Sequence, residues 1–286
     1  MEKNLEKLLS VSRSYYVGVS YEDPSAYVWG LKKASDHQIY EYLMDIQVIA
    51  SLEDDLKLLF NDPVWIKAKN ILDIGCGPGH LIKHLKNFFP DKTFTGIDIK
   101  DSSIDLAKSV LDGAANCKLI CKNIFDFSGD LYDYITARAI VQHLPNAEDF
   151  LKCARKLLKS GGHLLILDAA DHLDFESPKI PLIDKFNLKN AELQKKKGGN
   201  RAVQKEIEKY CTSAGFEIEK CLAVPLSAAT PLIKEIFIKR SLLMSEFCHR
   251  LFGVAIDQLK FAEQLIDWAK KDSSYAQHGY LQMVLK

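Results

Sequence analysis

This sequence has no excess of positive or negative charge. Its 286 residues include 38 lysines and arginines and 38 aspartates and glutamates, which gives a formal net charge of zero at neutral pH. Proteins that bind nucleic acids or anionic membrane surfaces usually carry a positive excess or a basic patch. We therefore expect neither nucleic acid nor a membrane as the partner of this chain.

Long hydrophobic runs are also missing. No segment approaches the roughly 18 consecutive apolar residues that a membrane-spanning helix requires. The N-terminal stretch from Met1 to Lys7 is charged and lacks the apolar core of an export signal. The sequence therefore predicts a cytoplasmic protein.

Cysteines are scattered and show no paired framework. Their number, seven, is odd, which argues against a disulfide scaffold. Cys117 and Cys121 lie close together on a predicted strand, but no second cysteine pair or nearby histidine pair accompanies them. Since a structural zinc site needs four such ligands, we expect no metal and interpret the cysteines as reduced, mostly buried thiols.

The most informative stretch is a glycine-rich turn between an apolar run and a helical pattern. Residues 70–74 form the apolar run, and residues 80–89 have the periodicity of a helix. Between them, Gly75 permits a sharp exit from the strand, Gly77 lets a ligand approach bare backbone, and Gly79 lets the helix begin close to the sheet. A strand, a tight turn and a helix start in this order build nucleotide pockets in α/β folds.

An acidic residue, Asp98, follows at the end of the next hydrophobic run, residues 93–97. An acid at this distance from the turn is placed to accept hydrogen bonds from ribose hydroxyls. Dinucleotides and other adenosyl compounds are the two ligand classes with such a ribose. The dinucleotide pattern G-x-G-x-x-G requires a third glycine at position 80, where this chain has His80. The third glycine comes one residue earlier, which disfavours a dinucleotide.

At this point the chain resembles the class I S-adenosylmethionine (SAM)-dependent methyltransferases. The resemblance lies in residues 72–79 (Leu-Asp-Ile-Gly-Cys-Gly-Pro-Gly), in Asp98 and in the Gly-Gly-His-Leu segment 161–164, and it covers about residues 68–170. It implies a Rossmann-like, mostly parallel seven-stranded sheet with helices on both faces, an α/β class that the alternation of strands and helices after residue 70 also predicts. It further implies SAM as cofactor, S-adenosylhomocysteine as product and a small molecule as methyl acceptor.

The resemblance also implies which residues hold the cofactor. The glycine turn would pack against the methionine part, Asp98 would hold the ribose hydroxyls and Ile99 would flank the adenine ring. Asn123 stands where the family commonly has an acid that meets the adenine amino group, and its carbonyl oxygen can accept the same bond. The complete predicted set is Asp73, Gly75, Cys76, Gly77, Gly79, Asp98, Ile99, Asn123, Ile124 and Arg138.

The end of the fourth predicted strand lies beside the transferable methyl group in small-molecule members of the family. His143 is the candidate general base, because its unperturbed pKa is near neutrality; packing beneath the next loop is the alternative. Gln142, Tyr15 and Tyr16 are candidate substrate-binding residues, and Arg138 either binds a substrate carboxylate or pairs with a neighbouring acid. No Asn-Pro-Pro-Tyr-type sequence follows this strand, which argues against methylation of nucleic-acid bases.

The pattern of the chain predicts its elements in order. We expect strands at 70–74, 93–97, 117–121, 132–137, 162–168, 216–224 and 279–285, and helices at 80–89, 102–112, 147–159 and 200–214. Gly161 and Gly162 are expected to end the third of these helices. The aromatic segment 14–30, interrupted by Pro24, is predicted to be a surface loop or a lid, and the lysines and glycines at 195–199 a mobile loop.

The chain contains three segments in addition to a compact methyltransferase-like core, and they determine the predicted domain organisation. Residues 61–225 with 276–286 are the predicted SAM-binding core, within which 171–200 is an inserted loop and helix. Residues 1–60 are predicted as an N-terminal helical cap or lid, and 226–275 as a helical insertion. Because ligands bind at the C-terminal edge of open α/β sheets, we expect these segments to form a helical cap over the substrate; a homodimer interface is the alternative.

The sequence thus predicts a SAM-dependent methyltransferase that acts on a small molecule at oxygen, nitrogen or carbon. A non-catalytic protein that binds SAM or a nucleotide is one alternative. An NAD-linked oxidoreductase is the other, and the glycine spacing disfavours it.

Overall fold

The computed structural model describes residues 23–286. The predicted substrate residues Tyr15 and Tyr16 lie outside this range. The described chain divides into two compact units. Unit 1 consists of residues 23–53, Leu173–Leu193 and Pro225–His278, and unit 2 of Asp54–His172, Gln194–Val224 and Gly279–Lys286.

Strands and helices alternate along the chain as the sequence predicts. The strands are β1 (Asn70–Ile74), β2 (Thr93–Asp98), β3 (Cys117–Cys121), β4 (Tyr132–Arg138), β5 (Leu158–Ala169), β6 (Phe175–Ser177), β7 (Ile218–Ala228) and β8 (Tyr275–Leu285). The α-helices are α1 (Pro24–Lys33), α2 (Asp36–Phe60), α3 (Pro63–Lys67), α4 (His80–Phe88), α5 (Asp101–Val110), α6 (Ala147–Lys156), α7 (Pro181–Lys196), α8 (Ile207–Ser213), α9 (Pro231–Phe252) and α10 (Gln258–Ala269).

The sheet of unit 2 has the strand order β3-β2-β1-β4-β5-β8, with β7 paired to β8. Strands β1 to β5 run parallel to their neighbours, and β8 runs antiparallel to β5. Parallel strands need apolar cover on both faces, and the central strands meet this requirement because Ile71 and Leu72 of β1 and residues 164–167 of β5 are buried. The predicted fold class, a Rossmann-like α/β fold with a mostly parallel sheet, is confirmed.

The prediction that Gly161 and Gly162 end a helix is wrong. Helix α6 ends at Lys156, and both glycines lie within β5. The pairing of β4 with β5 is interrupted between Tyr132 and Tyr134. A Cβ atom on Gly162 would lie 2.9 Å from the carbonyl oxygen of Asp133, so glycine here lets the two backbones approach at the irregularity.

Two other segments are more regular than predicted. Pro24 does not interrupt a loop but begins α1, because the Asp23 carboxylate accepts the N–H groups of Ser25 and Ala26 and a proline fits the first helical turn. Helix α7 continues through Lys196 into what was predicted as a mobile loop. The predicted helix at 200–214 is a short 3₁₀ turn followed by α8.

Unit 1 is mainly helical. Helices α1, α9 and α10 and parts of α2 and α7 surround a core in which Leu43, Leu242, Leu243, Phe261 and Leu265 are completely buried. Within the same unit, β6 pairs antiparallel with the first residues of β8. Helices were expected within residues 1–60 and 226–275, and in the structure those of unit 1 share an apolar core.

Arg250, near the end of α9, forms hydrogen bonds with the C-terminal end of α1. Its guanidinium donates to the carbonyl oxygens of Leu31 and Ala34, to Asp36 and to Glu246, at distances of 2.7 to 2.9 Å. The last carbonyl groups of a helix lack partners within the helix, and a planar guanidinium with several fixed donors can bond two of them together. Arg250 therefore joins two helices of unit 1 that are far apart in sequence.

We predict that Arg250→Lys lowers the stability of unit 1 by about 1–3 kcal/mol, since lysine keeps the charge but cannot make four directed bonds at once. The measurement is the urea midpoint of the transition reported by tryptophan fluorescence, to which Trp29 and Trp268 contribute from unit 1 and Trp65 from unit 2. Lys108→Ala is the control, because the Lys108–Asp105 pair is exposed and should contribute little. Equal midpoints for Arg250→Lys and the unaltered protein would contradict the prediction.

Candidate active site

The glycine turn after β1 adopts a backbone that only glycine tolerates well. Gly75, Gly77 and Gly79 have φ angles of 70°, 52° and 79°, in the left-handed region. The N–H groups of Gly75 and Cys76 both donate to the carbonyl oxygen of Ile97, at 2.8 and 3.0 Å. The turn is therefore bonded to the end of β2, the strand that carries the predicted acid.

Two of these glycines also provide clearance. A Cβ atom on Gly75 would lie 2.5 Å from Cδ1 of Ile140, and one on Gly79 would lie 2.9 Å from Cδ1 of Leu111. Leu111 follows α5, so the third glycine lets α4 begin close to α5 rather than, as predicted, close to the sheet. Gly75 instead leaves room for Ile140, in the chain that follows β4, to pack against the glycine turn.

Asp98 meets the glycine turn directly. Its Oδ2 accepts the N–H of Gly77 at 3.1 Å, and its Oδ1 accepts the N–H of Lys100 at 2.9 Å. Each carboxylate oxygen has a further lone pair for another donor. Ile99, next in the chain, is 64% exposed, which leaves an apolar surface beside the acid.

Asp73 is buried beneath the turn, on β1. The hydroxyl of Thr136 on the neighbouring β4 donates to its Oδ1 at 2.7 Å. Burial raises the pKa of Asp73 to about 7, an effect that the Thr136 bond and the positive charge of Arg138 oppose and that the charge of Asp98 reinforces. This carboxyl therefore changes its protonation near neutral pH.

Arg138, at the end of β4, acts electrostatically on Asp73 and lies over the ring of Tyr280, with its guanidinium carbon 5.5 Å from the ring centre. Of the two roles considered for it, interaction with a neighbouring acid has support in the structure. Cys76 is buried, and burial together with the charges of Asp73 and Asp98 raises the pKa of its thiol. The thiol is thus neutral, and it packs without reacting.

Asn123 already uses its side chain locally. Its Oδ1 accepts the N–H of Phe125 at 3.2 Å and caps a 3₁₀ turn, Ile124–Asp126, in which Ile124 is buried. An amide oxygen has two lone pairs, so one is left for a ligand.

The chain after β4 forms a tight turn that carries the candidate base. Ala139 has a positive φ of 50°, and a 3₁₀ turn follows over Val141–His143. Desolvation, with the positive charges of Arg201 and Lys100, lowers the pKa of His143 to about 4. Part of the imidazole remains exposed to solvent, which limits the shift, but all three causes favour the neutral form. Gln142 is buried, and its role towards a substrate stays a prediction.

Three residues that the sequence analysis missed hold this region. Thr136 has only its position near the end of an apolar strand as a signal. Asp168 has a stronger one, an acid after the apolar run 164–167. Gln194 has none, because its partner Gln142 is 52 positions away in the chain.

Within residues 23–286, no group of histidine, cysteine, aspartate and glutamate side chains could hold a metal ion. In the same range, none of the helices is both long and apolar enough to cross a membrane.

Comparisons with solved structures find the same fold in proteins of low sequence identity. The chain superposes on an O-methyltransferase family protein from Burkholderia thailandensis with a TM-score of 0.52 and 20% identity, over 66% of this chain and 57% of that one. It also superposes on the [4+2]-cyclase SpnF with a TM-score of 0.53 and 17% identity, over 84% and 80% of the two chains.

Curated relatives are similar to this chain over about a third of its length. The ubiquinone biosynthesis O-methyltransferase of Coxiella burnetii is 32% identical over 104 residues, which are 35% of this chain and 44% of that protein. The malonyl-[acyl-carrier protein] O-methyltransferase of Priestia megaterium is 35% identical over 96 residues, or 33% and 35% of the two proteins. This chain thus spans less than half the length of either relative.

A family model described as a methyltransferase domain matches residues 66–222, which include the glycine turn, Asp98 and the turn after β4. Because the match covers more than half of the 286 residues, this chain belongs to that family of methyltransferase domains.

Proposed function

We propose that this protein is a SAM-dependent methyltransferase that transfers a methyl group to a small-molecule acceptor. The observation that carries the proposal is the bond between Asp98 and the N–H of Gly77. It joins an acid suited to ribose hydroxyls to a glycine turn of the kind that contacts nucleotide ligands through its backbone. Membership of the methyltransferase family supports the same reaction.

The residues present fit SAM. Asp98 would accept bonds from the ribose hydroxyls, the exposed Ile99 would cover the adenine ring and the free lone pair of Asn123 would accept from the adenine amino group. Asp73 would stabilise the ammonium group, which would in turn favour the ionised carboxylate. When bound, SAM supplies a methyl group on a sulfonium that is itself a good leaving group.

The chain's own residues then have to align an acceptor and, where the acceptor carries a proton, remove it. His143 is neutral at pH 7 and can accept a proton, although its lowered pKa makes it a weak base. We propose oxygen as the acceptor atom, because both curated relatives are named as O-methyltransferases.

A second candidate is a protein with this fold that binds SAM without methyl transfer. The observation in its favour is the similar fold of a protein described as a [4+2]-cyclase. Since one fold supports several reactions, binding of SAM and turnover have to be measured separately.

The first test is ligand-dependent thermal stability. We expect SAM and S-adenosylhomocysteine to raise the melting temperature and NAD to leave it unchanged. At 100 times the dissociation constant, linkage gives about 2.7 kcal/mol of stabilisation. A shift with NAD alone would overturn the proposal in favour of an oxidoreductase. A shift with SAM but no S-adenosylhomocysteine formed from a panel of hydroxylated acceptors would favour the binding protein.

The second test concerns Asp73. Because its pKa is about 7, the ionised fraction rises from pH 6 to pH 7, and SAM affinity should rise by about fivefold over this range. Asp73→Asn should weaken SAM binding and abolish this pH dependence, as measured by titration calorimetry. Asp133→Asn is the matched control, because Asp133 accepts backbone N–H groups at the opposite end of the strands. The same pH dependence in Asp73→Asn would contradict the assignment.

The third test concerns His143. We expect its imidazole to titrate below the ordinary pKa of 6.5 in NMR spectra, so that the neutral form is present at and above pH 6.5. Arg201→Gln removes a positive neighbour and should raise this pKa. Arg155→Gln should leave it unchanged, since Arg155 packs on Phe216. A His143 pKa at or above 6.5 in the unaltered protein would refute the predicted environment.

A further inference from the structure

The 3₁₀ turn Val141–His143 is too short to hold itself in place. Its own backbone bonds run from His143 N–H to Ile140 and from Leu144 N–H to Val141, at 2.9 and 3.2 Å. Neither uses the peptide groups of the central residue, Gln142. Short 3₁₀ turns have poor internal geometry, and buried backbone groups require partners, so the turn depends on bonds from elsewhere.

One set of bonds comes from the end of β5. The Oδ2 atom of Asp168 accepts the N–H of Gln142 at 3.2 Å, and its Oδ1 accepts the N–H of Ala169 at 2.8 Å. Asp168 is only 2% exposed. Burial raises its pKa to about 6, while these N–H groups and Arg201 oppose the rise, so the carboxylate is mostly ionised at neutral pH.

The other set reaches Gln142 from the opposite end of the residue. Its carbonyl oxygen accepts the side-chain amide of Gln194 at 2.7 Å and the N–H of Asn200 at 2.8 Å. Gly199 provides the space, since a Cβ there would lie 2.7 Å from the same oxygen. These bonds join Gln194 and Asn200 to the turn after β4, while the mobility predicted for residues 195–199 stays a prediction.

The turn in its fixed position places Ile140 against the glycine turn. The Ile140 side chain occupies the space next to Gly75, where a Cβ atom would meet it at 2.5 Å. A displacement of the turn would therefore move the side chain that packs against Gly75. The same displacement would carry His143 with it.

We propose that Asp168 and Gln194 are positioning residues that hold Gln142 by its N–H and its C=O and thereby keep Ile140 against the glycine turn. The inference rests on the proposed function, because it takes the glycine turn as the SAM site. Neither side chain has to touch the cofactor, and their effect on it passes through the turn.

The test uses Asp168→Asn and Gln194→Met, each of which preserves side-chain size. Asparagine has to direct an NH₂ group at one of the two N–H donors, and methionine offers no donor to the Gln142 carbonyl. For both variants we expect hydrogen exchange of the Gln142 amide to become at least about tenfold faster without ligand. We expect SAM affinity, measured by calorimetry, to fall about fivefold or more.

Asp133→Asn is again the matched control. Asp133 also accepts two backbone N–H groups, at 2.9 and 2.8 Å, but at the other end of the strands. It should lose stability comparably while exchange at Gln142 and SAM affinity stay unchanged. A merely structural role for Asp168 predicts that all three variants lower the melting temperature and that none changes SAM affinity.

The outcomes separate this inference from the proposed function. Absence of SAM binding by the unaltered protein would refute the proposed function, and with it the positioning role. Exchange at Gln142 would still show whether Asp168 and Gln194 hold this residue. SAM binding that is unchanged in both variants would overturn the positioning role alone. If Asp168→Asn does not fold, Gln194→Met decides, because it tests the other end of the same residue.

Discussion

The site depends on one backbone constraint, the left-handed turn between β1 and α4. Three positive φ angles within five residues would be costly for any side chain with a Cβ atom. Glycine avoids this cost. The conformation is further stabilised because the carbonyl of Ile97 accepts two N–H groups of the turn and Asp98 accepts a third. The turn and the end of β2 are therefore one rigid piece, and a ligand that binds it meets preorganised donors and acceptors.

Two buried carboxylates contribute to the electrostatic character of the site, one before the glycine turn and one beside the turn after β4. Asp73 and Asp168 lie on β1 and β5, and burial raises the pKa of both. Both are held by donors from a neighbouring segment, Thr136 for the first and the turn after β4 for the second. Buried acids of this kind are stable only while those donors stay in place, so electrostatics and geometry are coupled here.

Local patterns predicted most of the core, and the misses have physical reasons. The glycine turn, Asp98 and the succession of strands and helices along the chain are predictable, because backbone conformation and hydrophobic periodicity depend on neighbouring residues. Gly162 does not end a helix because it lets β5 approach β4, which is a non-local requirement; Gly161 beside it has a positive φ of 74° and no such close contact. Pro24 was misread because a proline both interrupts helices and begins them, and only the cap at Asp23 distinguishes the two. The contact of Gln194 with Gln142 could not be predicted, because the two residues are distant in the sequence.

Gln142 is bonded at its N–H and at its C=O by residues from different parts of the chain. Its N–H donates to Asp168 of the sheet, and its C=O accepts from Gln194 in the last turn of α7 and from Asn200, which follows that helix. The glycine turn is held by the adjacent end of β2, whereas the central residue of the turn after β4 is held by partners that are distant in the sequence. Substitutions between residues 194 and 200 can therefore change the site without touching a ligand. Changes in the glycine turn act on the ligand directly. The two halves of the site thus differ in kind, one determined by backbone conformation and the other by hydrogen bonds across the fold.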